Sequence, residues 1–520
     1  MSIRITGMNS GLDTDSMVQE LSKAYAKKGE STKKEKTKMD WKQDIWTDLN
    51  KKIKNFNSKL SNMLYTSNYS QKKTTSSDEN RVSVVAADTA ITGTQTIEVK
   101  ALAKTAYLTS GKLGAGTDIE GKVKGDTKLS DLGFGDSATI TITKGGEPVN
   151  FEVNSDTTVD EFVKMAGKSG VTVSFDEKSG RIFMNSQKSG AADDFTITST
   201  DNEALKALGL YSYSDTEKAA MKAANPSLTD DKINAMSASK IDGQDSVIVL
   251  NGATFTSSTN TFSINGLSIT AKGLTEKDAP VTLNTDTDYD TIYKNIKGII
   301  NEYSKLINEL DKLYNADSAK DYEPLTDEEK DALSDEEVEK WEQKIKDSLL
   351  RRDENVNSVA NALKKAGLST FTVNGKKLAL SNFGIETLGY FESADNEKNA
   401  LHIHGDADDE AVSGESNKLK AMISGNFEDT VSFFTQYFRE MSDNLKAISK
   451  TSSSRSFGSF YDDKKMKSDI EAQEKKVSQW EDYVKEEEDK YYDQFSRMEK
   501  ALAKLNATQS SLAGYLGGAN

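Results

Sequence analysis

An unbroken seven-residue repeat near the end of the chain constrains its fold most. A straight α-helix would let an apolar stripe drift by about 20° per heptad, so a sustained repeat predicts a helix that supercoils against a partner helix. The positions between the repeats are mixed, since Phe495 and Leu502 are apolar and others are Glu or Gln. The repeat itself consists of Ile470, Val477, Val484, Tyr491, Met498, Leu505 and Leu512.

A second heptad pattern lies near the beginning of the chain. Residues 12–66 are predicted to be helical, with Asp13, Asp15 and Ser16 as candidate caps. Apolar residues recur there at the spacing of a helix seam. They are Met39, Trp46, Ile53 and Leu60, with Leu49, Phe56 and Met63 interleaved.

The order helix, strand-rich middle, helix predicts that the first and last helices pair. A chain that leaves along a rod, builds a head and returns would bring its last helix back antiparallel to the first. The expected seam is narrow, so we expect both helices to be loose in a single chain and firm once neighbouring copies add surface. The residues predicted to form this stalk and leg pairing are Met39, Trp46, Leu49, Ile53, Phe56, Leu60, Met63, Ile470, Val477, Val484, Tyr491, Phe495, Met498, Leu502, Leu505 and Leu512.

Residues 27–38 interrupt the first helical pattern with the sequence KKGESTKKEKTK. Ordering a residue costs roughly 1–2 kcal/mol of backbone entropy, and this stretch has no apolar side chain whose burial would offset the cost. The sequence therefore predicts a hinge or a disordered stretch here in the isolated protein.

The middle of the chain alternates apolar and polar residues with period two. Residues 76–288 are rich in Thr, Val and Ile, and connectors such as NG and KGG separate the runs, which indicates antiparallel hairpins. The predicted fold class is α+β. It comprises an antiparallel coiled-coil stalk of terminal helices, a helical leg domain, and strand-rich antiparallel head domains inserted between the two helical ends.

The same patterns predict a nested domain order, in which the leg and an inner head domain are each built from two separated segments. The predicted segments are a stalk helix at 1–45, the leg at 46–75 and 289–465, an inner strand-rich head domain at 76–106 and 241–288, an outer head domain with a short helical insert at 107–240, and the C-terminal stalk helix at 466–520.

Composition excludes several classes of protein. A net charge of −16 opposes binding to a nucleic acid backbone. No apolar run approaches the roughly 18–20 residues that span a bilayer, and the N-terminus lacks the apolar core of a secretory signal. The chain has no Cys, which excludes disulfides and thiolate chemistry.

Two small groups of residues resemble parts of metal sites, but each lacks ligands that such a site needs. His402 and His404 stand two apart in a predicted strand, but no third ligand is identifiable, so an exposed strand with incidental His is predicted. Asp286, Asp288 and Asp290 begin like a calcium loop, but Gly at the sixth position and Glu at the twelfth are missing. A polar linker is the prediction there. No metal and no cofactor is expected.

The sequence shows no phosphate loop, no serine nucleophile elbow and no zincin motif. Because the chain has so many acidic residues, the sequence does not exclude a catalytic pair of carboxylates like that of glycosidases. We nevertheless predict that the protein is not an enzyme.

Four segments together resemble the flagellar filament cap family, hook-associated protein 2. They are GMNSGLDTDSMVQEL at 7–21, YEPLTDEEKDALSDEEVEKWEQKIKDSLLRRD at 322–353, LSNFGIETLGYF at 380–391, and the C-terminal KYYDQFSRMEKALAKLNATQSSL. Their order matches the family, and they reach both ends of the chain.

This resemblance implies a structural cap at the distal tip of the bacterial flagellum. It implies a homo-oligomeric ring, five-fold in the usual description, that retains exported flagellin and promotes its folding and polymerisation. It also implies export unfolded through the flagellar channel by type III secretion, without a cleaved signal peptide, with the export machinery and an export chaperone as partners. Neither nucleic acid nor membrane insertion is implied.

Two alternatives remain open. The chain would also suit another axial or junction protein of the flagellum. An extracellular adhesin-like module that binds mucin or glycans would instead use exposed aromatic residues of the head, for which Tyr107, Tyr211 and Tyr213 are the candidates.

Overall fold

A computed structural model describes residues 11–115, 117–277, 279–389 and 391–516 of the chain. The chain divides into two compact units. We call them the helical unit, Met1–Tyr69 with Tyr289–Asn520, and the strand-rich unit, Ser70–Asp288. The outermost parts of the two predicted stalk segments, residues 1–10 and 517–520, lie outside the described residues.

The helical unit begins with one long helix, α1 (Thr14–Asn62). Asp13 caps it as predicted, because its Oδ1 accepts a hydrogen bond from the main-chain N–H of Ser16 at 3.1 Å. Residues 27–38 are part of this helix, so the predicted hinge or disordered stretch is wrong. The basic stretch has partners on the returning chain, such as Glu481, whose Oε1 lies 2.7 Å from Lys33 Nζ.

The strand-rich unit follows α1 and folds by antiparallel pairing. Two of its hairpins are closed by Asn251–Gly252 and Asn265–Gly266, each with positive φ at both positions, which is the turn type that matches strand twist. In chain order the unit contains β1 (Lys72–Ser76), β2 (Val82–Ala86), β3 (Gly93–Ala101), β4 (Thr105–Thr109), β5 (Ser137–Lys144), β6 (Glu147–Asn154), α2 (Val159–Ala166), β7 (Val171–Asp176), β8 (Arg181–Ser189), β9 (Phe195–Ser199), α3 (Asn202–Ala207), α4 (Asp215–Ala224), α5 (Asp230–Met236), β10 (Ser239–Ile241), β11 (Ser246–Leu250), β12 (Ala253–Ser257), β13 (Thr261–Ile264), β14 (Leu267–Ala271) and β15 (Val281–Thr287).

These strands form four sheets around two hydrophobic cores. The sheet orders are β1-β15-β3-β11-β12, β10-β4-β8-β7, β13-β14-β2 and β6-β5-β9. One core, which includes Ile97, Ile248 and Leu283, belongs to the first and third of these sheets. The other, which includes Ile140 and Phe162, belongs to the second and fourth.

The chain then returns to the helical unit. Its remaining elements are α6 (Tyr289–Tyr314), α7 (Asp327–Asp331), α8 (Asp335–Ser348), α9 (Glu354–Gly367), β16 (Phe371–Val373), β17 (Lys376–Leu378), β18 (Ile385–Glu386), β19 (His402–Ile403), α10 (Lys418–Gly425), α11 (Phe427–Ile448) and α12 (Asp463–Leu516). Single 3-10 turns occupy Thr66–Asn68, Gly167–Ser169, Ala191–Asp193 and Leu380–Phe383. The predicted α+β class is confirmed.

The core of the helical unit is aromatic and lies among α1, α6, α9 and α11. Phe433 is fully buried, and its ring centroid lies 4.5 Å from that of Phe383 and 5.2 Å from that of Phe434. None of the helices in the described part of the chain combines the length and apolar character needed to cross a bilayer.

Candidate interaction surface

The most distinctive surface of the helical unit is formed by α1 and α12, which run antiparallel to each other. Three contacts define the register. Ser22 contacts Glu488, the rings of Tyr25 and Tyr483 lie 5.6 Å apart, and Gly29 lies beside Trp480. Residue numbers rise on one helix as they fall on the other. We call residues 14–36 of α1 with residues 470–502 of α12 the helix pair.

The side of α1 that faces α12 is built from small residues. Thr14, Val18, Ser22 and Gly29 are its buried positions in this stretch, and they recur three or four residues apart or in multiples of that spacing. A Cβ placed on Gly29 would lie 3.6 Å from Cβ of Trp480, so the helices approach closely there. The fully buried positions of α1 in the pair are thus mainly small, while Tyr25 adds one large ring that packs against Tyr483.

Polar contacts complete this seam. The side-chain amide of Gln473 donates hydrogen bonds to the carbonyl oxygen of Thr32 and to Oε2 of Glu35, both at 3.1 Å. Gln473 is buried, as is Glu499 further along α12. A seam of this kind holds its register through specific hydrogen bonds more than through apolar burial.

The predicted residues of α12 take two different positions. Seven are half-buried along the pair: Ile470, Val477, Val484, Tyr491, Phe495, Met498 and Leu502. Leu505 and Leu512 are exposed, at 63% and 57%. Glu488 is level with Ser22, and α1 begins about two helical turns before Ser22. Leu505 and Leu512 follow Glu488 by more than four turns, so they lie beyond the first residue of α1.

The predicted residues of α1 lie mostly outside the pair. Met39 is half-buried and lines a cleft of about 240 Å³ with Met466. Trp46 is fully buried and stacks on Tyr461, just before α12, with ring centroids 5.1 Å apart. The remaining five are buried in the core of the helical unit: Leu49, Ile53, Phe56, Leu60 and Met63.

The register explains this division. The main-chain N–H of Phe460 donates to Oδ1 of Asn50 at 2.9 Å, so α12 begins level with the middle of α1. Residues of α1 beyond Asn50 therefore pack in the core of the helical unit, where α1 contacts α6 and α11 instead. Sequence reasoning missed the residues that α1 does use, Ser22 and Gly29 above all, because a search for apolar repeats passes over small residues.

The acidic segment α7–α8 contacts α1 on another side. Lys34 Nζ lies 3.1 Å from Oε2 of Glu329 in α7. Further along α1, Lys42 Nζ lies 2.8 Å from Oδ2 of Asp353, the residue that caps α9. The main-chain N–H of Thr326 and the Lys34 ammonium hold the pKa of Glu329 below its ordinary value. Each of these two helices begins with a capping box, formed by Thr326 with Glu329 in α7 and by Ser334 with Glu337 in α8.

Each of the two histidines is paired with a carboxylate. His402 Nδ1 lies 2.6 Å from Oδ2 of Asp409, and His404 Nδ1 lies 2.7 Å from Oε2 of Glu415. The prediction of an exposed strand is wrong, because both imidazoles are mostly buried against these partners. Within the described residues, no group of three or more His, Asp or Glu side chains is arranged to hold a metal ion.

The possible calcium loop is divided among three elements. Asp286 lies in β15, Asp288 in the link, and Asp290 in α6. The three residues therefore do not belong to one continuous loop, as they would in a calcium loop.

The candidate glycan-binding aromatics of the head differ in exposure. Tyr211 and Tyr213 are half-buried and pack edge-to-face, with ring centroids 5.0 Å apart. The hydroxyl of Tyr211 also donates to Oε1 of Glu217 at 2.7 Å. Only Tyr107 of the three is exposed.

A long antiparallel helix pair and an inserted strand-rich unit are typical of a structural subunit, a protein that acts by contacting other proteins. Two family models match the chain, "Flagellar hook-associated protein 2 N-terminus" at residues 10–106 and "Flagellar hook-associated protein 2 C-terminus" at residues 243–507. The chain belongs to the flagellar hook-associated protein 2 family. It is a structural protein, the oligomeric cap of the flagellar filament, located outside the cell at the distal tip.

The chain is also similar to individual proteins. The flagellar hook-associated protein 2 of Halalkalibacterium halodurans is 23% identical over 556 aligned residues, covering 98% of this chain and 99% of that protein. Among solved structures, the D1-D2-D3 domains of the flagellar cap protein FliD from Escherichia coli match at 17% identity with a TM-score of 0.48, covering 83% of this chain and 99% of that one. FliD (HAP2) from Pseudomonas aeruginosa PAO1 matches at 19% identity with a TM-score of 0.31, covering 44% and 93%.

Proposed function

We propose that the helix pair, which belongs to the predicted stalk, is the part with which this cap contacts flagellin. We call it the contact leg, as distinct from the predicted helical leg domain. One observation carries the proposal: Leu505 and Leu512 are exposed at a seven-residue spacing on α12, beyond the first residue of α1. Apolar side chains at that spacing form the stripe that packs a helix against another helix. Flagellin subunits below the cap would cover this stripe.

The seam inside the helix pair suits a contact leg that must adapt. Its buried positions on α1 are mainly small, and the apolar residues of α12 along it are only half-buried, so shifting one helix against the other exposes less apolar surface than opening the core would. A helix pair of this kind can leave one flagellin subunit and bind the next one while the core of the helical unit stays folded.

The remaining parts of the proposal follow from family membership. The cap is a ring of copies of this chain, five-fold in the usual description, and it confines arriving flagellin until that protein has folded. The chain leaves the cell through the flagellar export machinery, with an export chaperone and without a cleaved signal peptide. It has no enzymatic activity and needs no cofactor, nucleic acid or membrane. The predicted division into stalk, leg, inner head and outer head domains belongs to the same proposal.

Deletion of residues 466–520 in the source bacterium tests the capping role. We expect unpolymerised flagellin to appear in the culture medium, because a cap without contact legs cannot stay on the filament. If flagellin polymerises as in the wild type, the proposed role is wrong.

A finer test targets the leucine stripe alone. The double variant Leu505→Glu with Leu512→Glu should release flagellin into the medium. The control, Asn506→Glu with Gln509→Glu, adds the same charge to exposed polar positions of the same helix. Equal release from both variants would show that the leucines have no special part in the contact leg.

A further inference from the structure

One face of the strand-rich unit carries large apolar side chains at its surface. The face belongs to sheet β10-β4-β8-β7, in which exposed and buried residues alternate along the strands. Every second side chain of such a strand points to the same side. Three of the outward ones are apolar and exposed, namely Tyr107 at 49%, Phe183 at 38% and Ile241 at 54%.

The strand register arranges the outward residues in two rows. Tyr107 pairs with Ile241 on β10 and with Asn185 on β8, and Phe183 pairs with Thr109 and Ser174. The complete rows are Ile241, Tyr107, Asn185 and Thr172, then Ser239, Thr109, Phe183 and Ser174. We call these eight residues the outer face. Phe183 stands diagonally to Tyr107, within reach of an aromatic side chain.

None of the eight residues is charged, although 29% of the residues of this chain are charged. The nearest outward charges, Asp176 and Arg181, lie opposite each other where β7 meets β8. The guanidinium of Arg181 also donates a hydrogen bond to the carbonyl oxygen of Ser110. Asp176 accepts hydrogen bonds from the main-chain N–H groups of Lys178 and Ser179, so both charged groups at this border already have hydrogen-bond partners within the chain.

The sheet β6-β5-β9 of the same unit offers a contrast. Its outward side chains are hydrogen-bonded to one another: Thr139 Oγ1 donates to Glu152 Oε1 at 2.7 Å, and Thr141 Oγ1 donates to Asn150 Oδ1 at 2.9 Å. This second sheet presents polar groups to water. The outer face presents apolar groups there, which marks an interaction site.

We propose that the outer face is a contact between two copies of this chain in the assembled cap. Copies with a net charge of −16 repel each other wherever charged surfaces approach, so a neutral face admits a second copy at the least cost. Aromatic enrichment and charge depletion are also the composition of interface centres. This inference rests on the proposed assembly of the cap from copies of the chain.

Sedimentation velocity of the full chain tests the contact. Tyr107→Glu and Phe183→Glu should each weaken self-association by about tenfold or more, because a charge would be buried against a like-charged copy. The matched control is Thr198→Glu, an exposed position in β9 of the polar sheet. Circular dichroism melting confirms that each variant is folded. Unchanged self-association of the folded Tyr107→Glu and Phe183→Glu variants would overturn the inference.

Thiol reactivity gives a second readout that needs no disruption of the assembly, since the chain has no Cys. Ile241→Cys should react with iodoacetamide about tenfold more slowly in concentrated, assembled protein than in dilute protein, whereas Thr198→Cys should not change. Equal rates for Ile241→Cys in both states overturn the contact and leave the capping role standing. Protection that appears only when flagellin is added also overturns it, because the face would then bind flagellin.

Discussion

The two ends of α1 bury different side chains against different partners. From Trp46 to Leu60 the helix buries large apolar residues in the core of the helical unit. From Thr14 to Gly29 it buries small residues against α12. A buried large apolar side chain contributes about 1.5–3 kcal/mol, whereas a buried serine or glycine contributes much less. One continuous helix thus joins a core of large apolar side chains to a helix pair in which its buried residues are mainly small.

The largest expected effect lies in the core. Phe433→Ala removes a fully buried ring that touches Phe383 and Phe434, and it should destabilise the helical unit by about 3–5 kcal/mol. Chemical denaturation of the full chain measures this loss. Phe457→Ala, at a position that is 87% exposed, should leave the free energy of unfolding unchanged. A comparable loss for Phe457→Ala would undo the contrast between core and surface.

A smaller effect is expected in the helix pair. Trp480→Ala removes the side chain that packs over Gly29 and should cost about 1–2 kcal/mol, because Trp480 is only half-buried. The loss should appear as faster hydrogen exchange in residues 20–36, with an unchanged unfolding midpoint for the core. Lys485→Ala, an exposed position of α12, is the control. A shift in the core midpoint would show that pair and core unfold together.

The contact between α7 and α1 should depend on pH. The folded pKa of Glu329 is lower than its ordinary value of 4.5, so its contribution is present above that pH and is lost as pH falls from about 4.5 through the lowered pKa. Exchange protection of residues near Lys34 should fall over that range. Glu329→Gln should abolish the dependence, whereas Glu328→Gln, its exposed neighbour, should retain it. A dependence that survives Glu329→Gln would locate the titrating group elsewhere.

The smallest expected effect is a gain in stability. Gly29→Ala places a methyl group at an ordinary contact distance from Trp480 and should stabilise the helix pair by up to about 1 kcal/mol through helix propensity. Gly298→Ala in α6, which has open space around its Cβ position, should give a similar gain to the core without slowing exchange in the pair. Destabilisation by Gly29→Ala would mean that the helices approach more closely than described.

The heptad residues of α1 show what local pattern can predict. Trp46, Ile53 and Leu60 are buried as their spacing requires, since spacing alone determines which face of a helix is apolar. Spacing does not determine the partner. Trp46 stacks on Tyr461, just before α12, whereas Ile53 and Leu60 join the core that α1 forms with α6 and α11, because α12 begins level with Asn50.

Residues 27–38 show what local pattern cannot predict. Their helix depends on Gln473, Trp480 and Glu481, which follow more than 400 positions later in the chain. The sequence KKGESTKKEKTK by itself does not show which residues of α12 will lie beside it. Small residues such as Gly29 give no hydrophobic signal, although Gly29 is buried beside Trp480. Similarly, the outer face emerges only after strand register brings Tyr107, Phe183 and Ile241 together.

Hydrogen exchange of the full chain, followed by mass spectrometry in dilute and in assembled protein, tests the central claim most directly. The claim is that the helix pair is held lightly in a single chain and becomes firm only in the assembly. In dilute protein, residues 14–36 and 470–502 should exchange far faster than α9 and α11, and assembly should slow them selectively. Protection of the helix pair equal to that of α11 in dilute protein, unchanged on assembly, would contradict the account.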